Sequence, residues 1–182
     1  MSEQEPKLSR RDLLKAATIG GFGLTTLGNS SASSIEEYET SNISLQKQKT
    51  MIGVQFEPRD LVRVGIVGVG LRGTEVLGEF LAIDKVVINA VCDVVKEKCQ
   101  RAAQMVEKAG QKAPAIYADG ETAFEKLSKR DDLDFIYIAT PWEWHTPQIL
   151  AALKEGKHVG TEVPAAYTLE DCWNIVGASE KA

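Results

Sequence analysis

The sequence predicts an α/β fold in which helices cover both faces of a doubly wound parallel sheet. Three observations favour this fold. From residue 61 onward, apolar runs of strand length alternate with helical patterns, and the connections between them are short. Residues 134–140 are almost continuously apolar, as expected for a central parallel strand whose two faces are both buried.

The first predicted strand leads into a glycine-rich turn. Residues 61–73 read LVRVGIVGVGLRG, and Gly68, Gly70 and Gly73 stand at the G-x-G-x-x-G spacing. In this pattern the first glycine permits a sharp turn, the second lets a pyrophosphate approach the backbone, and the third lets the helix pack close to the strand. The helix N-terminus offers N–H groups and a partial positive charge to phosphates. The alternative is a structural turn without a ligand.

Two following features favour a dinucleotide site over a plain turn. A helix is predicted over residues 74–83, and a second strand over residues 86–92 ends at Asp93, 20 positions after Gly73. An acid at that spacing meets the ribose hydroxyls of a dinucleotide. Its charge would repel a 2′-phosphate, so we expect NAD rather than NADP, with Lys96 and Lys98 nearby in sequence to weaken the preference.

The remaining elements follow from periodicity and capping signals. Thr146 and Thr168 are predicted N-caps, and Pro147 is predicted at a first helical position. Gly110 is predicted to close the second helix. The predicted order is helix 96–109, strand 115–117, helix 121–128, strand 134–140, helix 147–155, strand 157–161 and helix 169–179.

The composition is that of a globular domain, and the net charge bears on one class of function. The 182 residues are 43% hydrophobic and 26% charged, and the net charge of −5 does not support nucleic-acid binding. The three cysteines, Cys92, Cys99 and Cys172, form no metal-ligand pair, so we predict no metal site. Cys92 and Cys99 are predicted to pack in the core.

The N-terminal residues carry an export signature. Residues 9–15 read SRRDLLK and resemble the twin-arginine motif S-R-R-x-F-L-K. The apolar run over 16–27 is too short and too polar to span a bilayer, and residues 30–32 supply a small-residue cleavage site. We therefore predict a twin-arginine signal peptide over 1–34, export to the periplasm by the twin-arginine machinery and no stable membrane anchor. The alternative is an ordinary basic helix.

Residues 35–60 are predicted to form a linker or arm. Polar residues dominate as far as residue 50, whereas residues 51–56 are more apolar. We expect the apolar part to pack against the domain just before the first strand. The organisation is then signal peptide 1–34, linker 35–60 and nucleotide-binding domain 61–182.

The later motifs resemble those of a known family. ATP at 139–141 with His145, and GKHVGTEVP at 156–164, are similar to segments of the Gfo/Idh/MocA oxidoreductases. Those proteins carry a T-P-x-x-x-H-type turn after strand four and a G-K-H-V-x-x-E-K-P segment at strand five. PWEWH at 141–145 and MIGVQFEPRD at 51–60 look like glycoside hydrolase family 109, the NAD-dependent α-N-acetylgalactosaminidases. The resemblance implies a Rossmann-type domain from residue 61 to 182.

The resemblance also implies a set of cofactor contacts. They are Leu71 and Arg72 at the pyrophosphate, Asp93 at the adenosine ribose, Trp142, Glu143, Trp144 and His145 beside the nicotinamide ribose, and Glu162 and Val163 below the nicotinamide. His145 is the one candidate catalytic residue. Plainer roles stay open: a solvated helix-start arginine for Arg72, an interface for the tryptophans, a solvated acid for Glu143 and a capping imidazole for His145.

One departure from the family bears on the reaction. Dehydrogenases of the family carry Lys in the E-K-P segment, where it assists proton transfer, but Val163 stands at that position here. Valine cannot donate or accept a proton, which argues against ordinary alcohol dehydrogenation. The resemblance therefore implies the NAD-binding domain of a glycosidase that cleaves α-N-acetylgalactosaminides by redox-neutral elimination and addition. The alternatives are a sugar dehydrogenase and a non-catalytic nucleotide-binding module.

The length is the second departure. Family members continue into an α+β domain that carries the sugar site and most catalytic groups, whereas this sequence ends after its fifth strand and one helix. We expect the C-terminal substrate domain to be absent and the 182-residue chain alone to be inactive. The expected partners are a small-molecule glycoside and, as an open possibility, further copies of the chain.

Overall fold

The computed structural model describes residue 51 and residues 53–182. The predicted signal peptide and most of the predicted linker lie outside the described residues, so both stay predictions. No helix within residues 53–182 has the length and apolar character needed to cross a membrane.

The described residues form a five-stranded, all-parallel sheet with helices between the strands. The strand order is β3-β2-β1-β4-β5. After β1 the chain adds β2 and β3 on one side of it, and then returns to add β4 and β5 on the other side. The elements are β1 Val62–Val67, α1 Leu71–Leu81, β2 Val86–Cys92, α2 Lys96–Lys108, β3 Ala115–Tyr117, α3 Ala123–Ser128, β4 Phe135–Ile138, a 3₁₀ turn Trp142–Trp144, α4 His145–Lys154, β5 His158–Thr161 and α5 Leu169–Lys181.

Two apolar clusters cover the two faces of the sheet. One packs α1 and α2 against the strands through residues such as Leu77, Cys99 and Val106. The other packs α3 and α4 against the opposite face through residues such as Leu127 and Ile149. This arrangement confirms the doubly wound, Rossmann-type sheet, and it buries Cys92 and Cys99 as predicted.

The first helix begins earlier than predicted. It starts at Leu71, inside the glycine-rich turn, and ends at Leu81. Gly70 takes an extended conformation with φ −72° and ψ −151°, so the helix begins at the next residue rather than at Thr74. Ile83, the last residue of the predicted helix, lies beyond the end of the observed one and is 52% exposed.

The predicted N-cap at Thr146 is wrong. A 3₁₀ turn precedes α4, which begins at His145 with Trp144 as its cap residue. Thr146 is instead buried inside the first turn, and its hydroxyl has no hydrogen-bond partner among the described residues. The cap at Thr168 is confirmed, because its side chain accepts the N–H of Asp171 and the Asp171 carboxylate accepts the N–H of Thr168.

Other boundaries differ by a few residues. The third helix begins at Ala123, β4 is limited to Phe135–Ile138, β5 begins at His158, and the last helix extends to Lys181. Asp134 and Ala139 flank β4, and their backbone N–H groups still donate to Arg63 and Val67 of β1. Gly110, at φ +83°, follows the end of α2 as predicted.

The segment before β1 contacts the amino-terminal edge of the sheet. The ring of Phe56 meets that of His158 edge-on, with centroids 4.5 Å apart. Arg59 donates to the carboxylate of Asp134 at 2.9 Å. Residues 53–60 are otherwise exposed, so this part of the arm is held at separate points rather than packed along its length.

Candidate dinucleotide site

The glycine turn is closed on one side and open on the other. Gly68 has φ +86°, and a Cβ there would lie 2.7 Å from the backbone of Ala139. A Cβ on Gly73 would lie 1.8 Å from the carbonyl oxygen of Gly68. At Gly70 a Cβ would meet only the Nζ of Lys98, at 3.9 Å. Gly70 therefore leaves backbone accessible to a ligand, as the fingerprint requires of its second glycine.

The N-terminus of α1 suits an anion. No side chain caps it, and its first turn contains no acidic residue. The first N–H groups of a helix have no carbonyl partner within it, and they carry the positive end of the helix dipole. Leu71, the first helical residue, is exposed. The backbone of this turn thus fits the pyrophosphate of a dinucleotide.

A cleft of about 410 Å³ opens beside this turn. It lies at the carboxyl ends of β1, β2 and β4, where the strand order reverses and open α/β sheets bind ligands. Its lining includes Gly68, Gly70, Asp93, Lys98, Thr140 and Trp144. Sequence reasoning assigned no contact to Thr140 and only a weakening effect to Lys98. Thr140 follows β4 and Lys98 belongs to α2, and a single sequence does not show that both lie beside the glycine turn.

Asp93 lines the cleft but is mostly buried. Its side chain is 8% exposed. Oδ2 accepts the N–H of Val69 at 3.1 Å, and Oδ1 accepts the N–H of Val95 at 2.9 Å. The Nζ of Lys98 lies 3.8 Å from Oδ1. Asp93 therefore stabilises both the glycine turn and the start of α2. Its oxygens keep lone pairs that can accept hydrogen bonds from further donors.

Arg72 and Glu162 meet although they are 90 positions apart. Nε of Arg72 donates to Oε1 of Glu162 at 2.7 Å, and the hydroxyl of Tyr137 donates to the same oxygen at 2.5 Å. These two donors hold the pKa of Glu162 below its usual value. Burial and the adjacent carboxylate raise the pKa of Tyr137 to about 12. Sequence reasoning missed Tyr137, which stands in an apolar strand between two buried isoleucines.

The turn after β4 has an exposed and a buried part. Trp142 and Glu143 are exposed, whereas Trp144 packs edge-on against Phe124 and faces the cleft. His145 is fully buried. Trp144 therefore lines the cleft, whereas His145 is buried and does not line it.

The ring of His145 connects two segments. Its Nδ1 lies 2.8 Å from the carbonyl oxygen of Pro164, and its Nε2 lies 2.9 Å from that of Thr140. A neutral imidazole has one N–H and donates to one of the two at a time. The ring thus ties the turn after β4 to the segment after β5, and no side chain caps the start of α4. Val163, beside that segment, is 80% exposed.

The buried thiols and acids do not form a metal centre. Burial raises the pKa of Cys92 to about 12 and that of Cys99 to about 11, so both stay protonated. Across residue 51 and residues 53–182, no three His, Cys, Asp or Glu side chains are grouped so that they could hold a metal ion.

The sequence from residue 62 to 182 matches the family model described as oxidoreductase family, NAD-binding Rossmann fold. The chain belongs to the Gfo/Idh/MocA family. The matched range contains the glycine turn, Asp93 and the cleft, so the site described above is that of the family's NAD-binding domain.

Curated relatives of the chain include glycosyl hydrolase family 109 proteins. The chain is 47% identical over 173 residues to a glycosyl hydrolase family 109 protein of Saccharopolyspora erythraea, covering 95% of this chain and 37% of that protein. It is 36% identical over 177 residues to an alpha-N-acetylgalactosaminidase of Shewanella oneidensis, covering 96% and 37%. The chain thus spans less than half the length of these relatives.

Solved structures of two dehydrogenases share the fold. The myo-inositol dehydrogenase of Lactobacillus casei, in complex with NAD(H) and myo-inositol, aligns with a TM-score of 0.60 at 24% identity, over 67% of this chain and 34% of that one. The WlbA dehydrogenase of Chromobacterium violaceum, in complex with NADH and UDP-GlcNAcA, gives 0.59 at 26% identity, over 72% and 35%.

Proposed function

We propose that the complete protein is an NAD-dependent glycosidase that hydrolyses α-linked N-acetylgalactosaminides without net oxidation. The cleft between the open side of Gly70 and the carboxylate of Asp93 carries the cofactor part of the proposal. The likeness to family 109 proteins, and to an alpha-N-acetylgalactosaminidase among them, supports the substrate class.

The residues of the cleft have separate roles in this proposal. The backbone at Gly70 and Leu71 binds the pyrophosphate, and Asp93 accepts hydrogen bonds from the adenosine ribose. Trp144 forms one wall of the cleft. Glu162 and Val163 follow β5 at the same edge of the sheet, where we place the nicotinamide end.

When bound, NAD supplies reversible oxidation of the sugar at C3, which acidifies the C2 proton so that the leaving group is eliminated and water adds. The domain holds the cofactor and cannot move these protons through Val163, which has no proton to give. His145 is buried and occupied by two carbonyls, so it does not face the cleft as a base. We therefore assign the base for C2 and the acid for the leaving group to the part of the protein that corresponds to the remaining length of its relatives.

The test uses the protein extended to the length of its relatives and an α-N-acetylgalactosaminide with a chromogenic leaving group. The proposal requires product without net NADH and solvent deuterium at C2 of the released sugar. Steady accumulation of NADH would instead establish a dehydrogenase. Turnover by the 182-residue chain alone would contradict the assignment of the base and the acid to a further domain.

A sugar dehydrogenase is the second candidate. It is favoured by the likeness to the WlbA dehydrogenase, at 26% identity and a TM-score of 0.59. Val163 at the position of the family's lysine opposes it, and the NADH measurement separates the two.

We also propose export of the folded protein by the twin-arginine route to the periplasm. The SRRDLLK motif and the weakly apolar run that follows it support this proposal. Export of a folded protein would let NAD bind in the cytoplasm, where it is made. A reporter fused after Ser34 should lose export when Arg10 and Arg11 are both changed to Lys, and unchanged export would refute the proposal.

A further inference from the structure

Donors from two elements converge on one carboxylate oxygen beside the glycine turn. Oε1 of Glu162, which follows β5, accepts from Arg72 in the first turn of α1 and from Tyr137 in β4. The two donor atoms lie 2.7 Å and 2.5 Å from the oxygen. Neither bond belongs to the sheet ladder, so both depend on side-chain placement alone.

Tyr137 is the best-fixed member of this group. Its ring meets that of Phe80 edge-on, with centroids 5.5 Å apart. A Cβ on Gly160 would lie 3.2 Å from Cδ2 of Tyr137, so the ring occupies space that the missing side chain leaves on β5. The position of the phenol oxygen is therefore set by packing, before any bond to Glu162 is considered.

Arg72 is the least fixed member. Its side chain is 51% exposed and long enough to adopt many rotamers. Glu162 binds its Nε, and its Nη1 lies 3.5 Å from Glu75 and 4.0 Å from Glu79. A guanidinium has five N–H donors in a rigid plane, so holding the Nε edge fixes the direction of the others. Nη2 keeps two N–H groups for a further partner, and Arg72 belongs to the first turn of α1, where an anion is favoured.

We propose that Tyr137 is a positioning residue of the cofactor site, which holds Glu162 so that Arg72 presents its free donors to the cofactor phosphates. The inference rests on the proposed function, because it assigns the donors of Arg72 to the phosphates of NAD. The order Tyr137, then Glu162, then Arg72 is a statement about the protein without ligand and is tested without one.

The first experiment measures the order of the Arg72 side chain in the 182-residue chain. The ¹⁵N heteronuclear NOE of Arg72 Nε is compared between wild type and Tyr137→Phe, which keeps the ring and removes the hydroxyl. We expect a clear fall of the NOE in the variant. Tyr117→Phe is the matched control, because the Tyr117 hydroxyl accepts from Arg130 at 3.1 Å, away from Arg72. An Arg72 NOE that is unchanged by Tyr137→Phe overturns the proposal.

The second experiment measures dissociation constants for NAD and for ADP-ribose. Tyr137→Phe should weaken both about three- to tenfold, since the two ligands share the pyrophosphate. Arg72→Ala should weaken them further, and adding Tyr137→Phe to Arg72→Ala should have no additional effect. Additive losses would overturn the proposal, because Tyr137 would then act independently of Arg72.

The two experiments fail in different ways. Wild-type protein that binds neither NAD nor ADP-ribose would refute the proposed function, whatever the NMR result. Normal binding by the wild type and by Tyr137→Phe would refute the positioning role and leave the proposed function standing.

Discussion

The carboxylate of Asp93 accepts the backbone N–H of Val69, with 3.1 Å between Oδ2 and the nitrogen. Val69 lies inside the G-x-G-x-x-G turn, so the acid expected at the ribose also stabilises the loop expected at the pyrophosphate. A substitution of Asp93 therefore changes two properties at once. Asp93→Asn removes the charge and keeps one oxygen, which can accept only one of the two backbone N–H groups that Asp93 binds, so the stability of the variant is measured together with its cofactor preference.

Asp93→Asn should shift the cofactor preference toward NADP by about tenfold. The amide oxygen can still accept a backbone N–H, whereas the charge that repels a 2′-phosphate is gone. Titration of wild type and variant with NAD and NADP measures the ratio. Asp93→Ala is the companion variant: it should weaken NAD binding more than Asn does and lower the unfolding midpoint. Equal affinity of the wild type for both cofactors would contradict the role of Asp93, as would undiminished NAD binding by Asp93→Ala.

Lys98→Met should weaken NADP binding about five- to tenfold while changing NAD binding little. The Nζ of Lys98 lies 3.8 Å from Asp93 and lines the cleft, so it is placed to compensate the acid and to pair with an added phosphate. The control is Lys96→Met, which removes the same charge from an exposed position in the same turn of α2. An equal effect of the two substitutions would show that only overall charge matters.

Gly70→Ala should weaken cofactor binding without unfolding the protein. A Cβ at Gly70 enters open space beside the cleft, where it would occupy the approach of the pyrophosphate, and we expect the dissociation constant for NAD to rise at least about tenfold. Gly73→Ala should instead destabilise the fold by about 3 kcal/mol or more, because its Cβ would lie 1.8 Å from the carbonyl oxygen of Gly68. Thermal unfolding and NAD titration of both variants provide the measurements. Wild-type affinity in Gly70→Ala would remove the turn from the cofactor site.

The elements predicted best from sequence are those whose signal is local. Strand β2 is predicted to the residue, because an apolar run interrupted only by Asn89 is bounded by Lys85 and Asp93. The predicted burial of Cys99 on α2 is also confirmed, and the buried residues Cys99, Ala102, Ala103 and Val106 recur at helical spacing. In both cases the burial pattern of one segment is sufficient to place it in the fold.

The features missed from sequence depend on distant partners. Thr146 is of a residue type preferred at N-caps, yet α4 begins at His145, two residues before the predicted start at residue 147. There His145 is buried against carbonyls of Thr140 and Pro164. Tyr137 gives no local sign of function, because its partner Glu162 lies 25 positions further on. A single sequence places such residues in their elements but does not show what they contact.

Asp134, at the amino end of β4 and away from the cleft, pairs with Arg59 and Arg63. Its carboxylate accepts from the backbone N–H, Nε and Nη2 of Arg63 at 2.9, 2.9 and 2.6 Å, and from Nη1 of Arg59 at 2.9 Å. Its side chain is only 5% exposed, so these bonds are shielded from water. The hydrogen bonds from Arg63 are the main reason that the pKa of Asp134 falls from 3.8 to about 2.

Asp134→Asn should lower the free energy of unfolding at neutral pH and have little effect on it at pH 2. Because the folded-state pKa is lower than the unfolded one, the ionised carboxylate contributes stability above about pH 4, and this contribution is lost as the pH falls toward 2. The shift corresponds to about 2 kcal/mol at neutral pH. Denaturant unfolding at pH 7, 5, 4, 3 and 2 should show the variant less stable at neutral pH, with the gap to wild type closing between pH 4 and pH 2. Asp119→Asn is the control, since Asp119 is 78% exposed and pairs with Lys126 only at 3.8 Å, and it should change stability little at any pH. A gap for Asp134→Asn that stays constant down to pH 2 would contradict the shifted pKa.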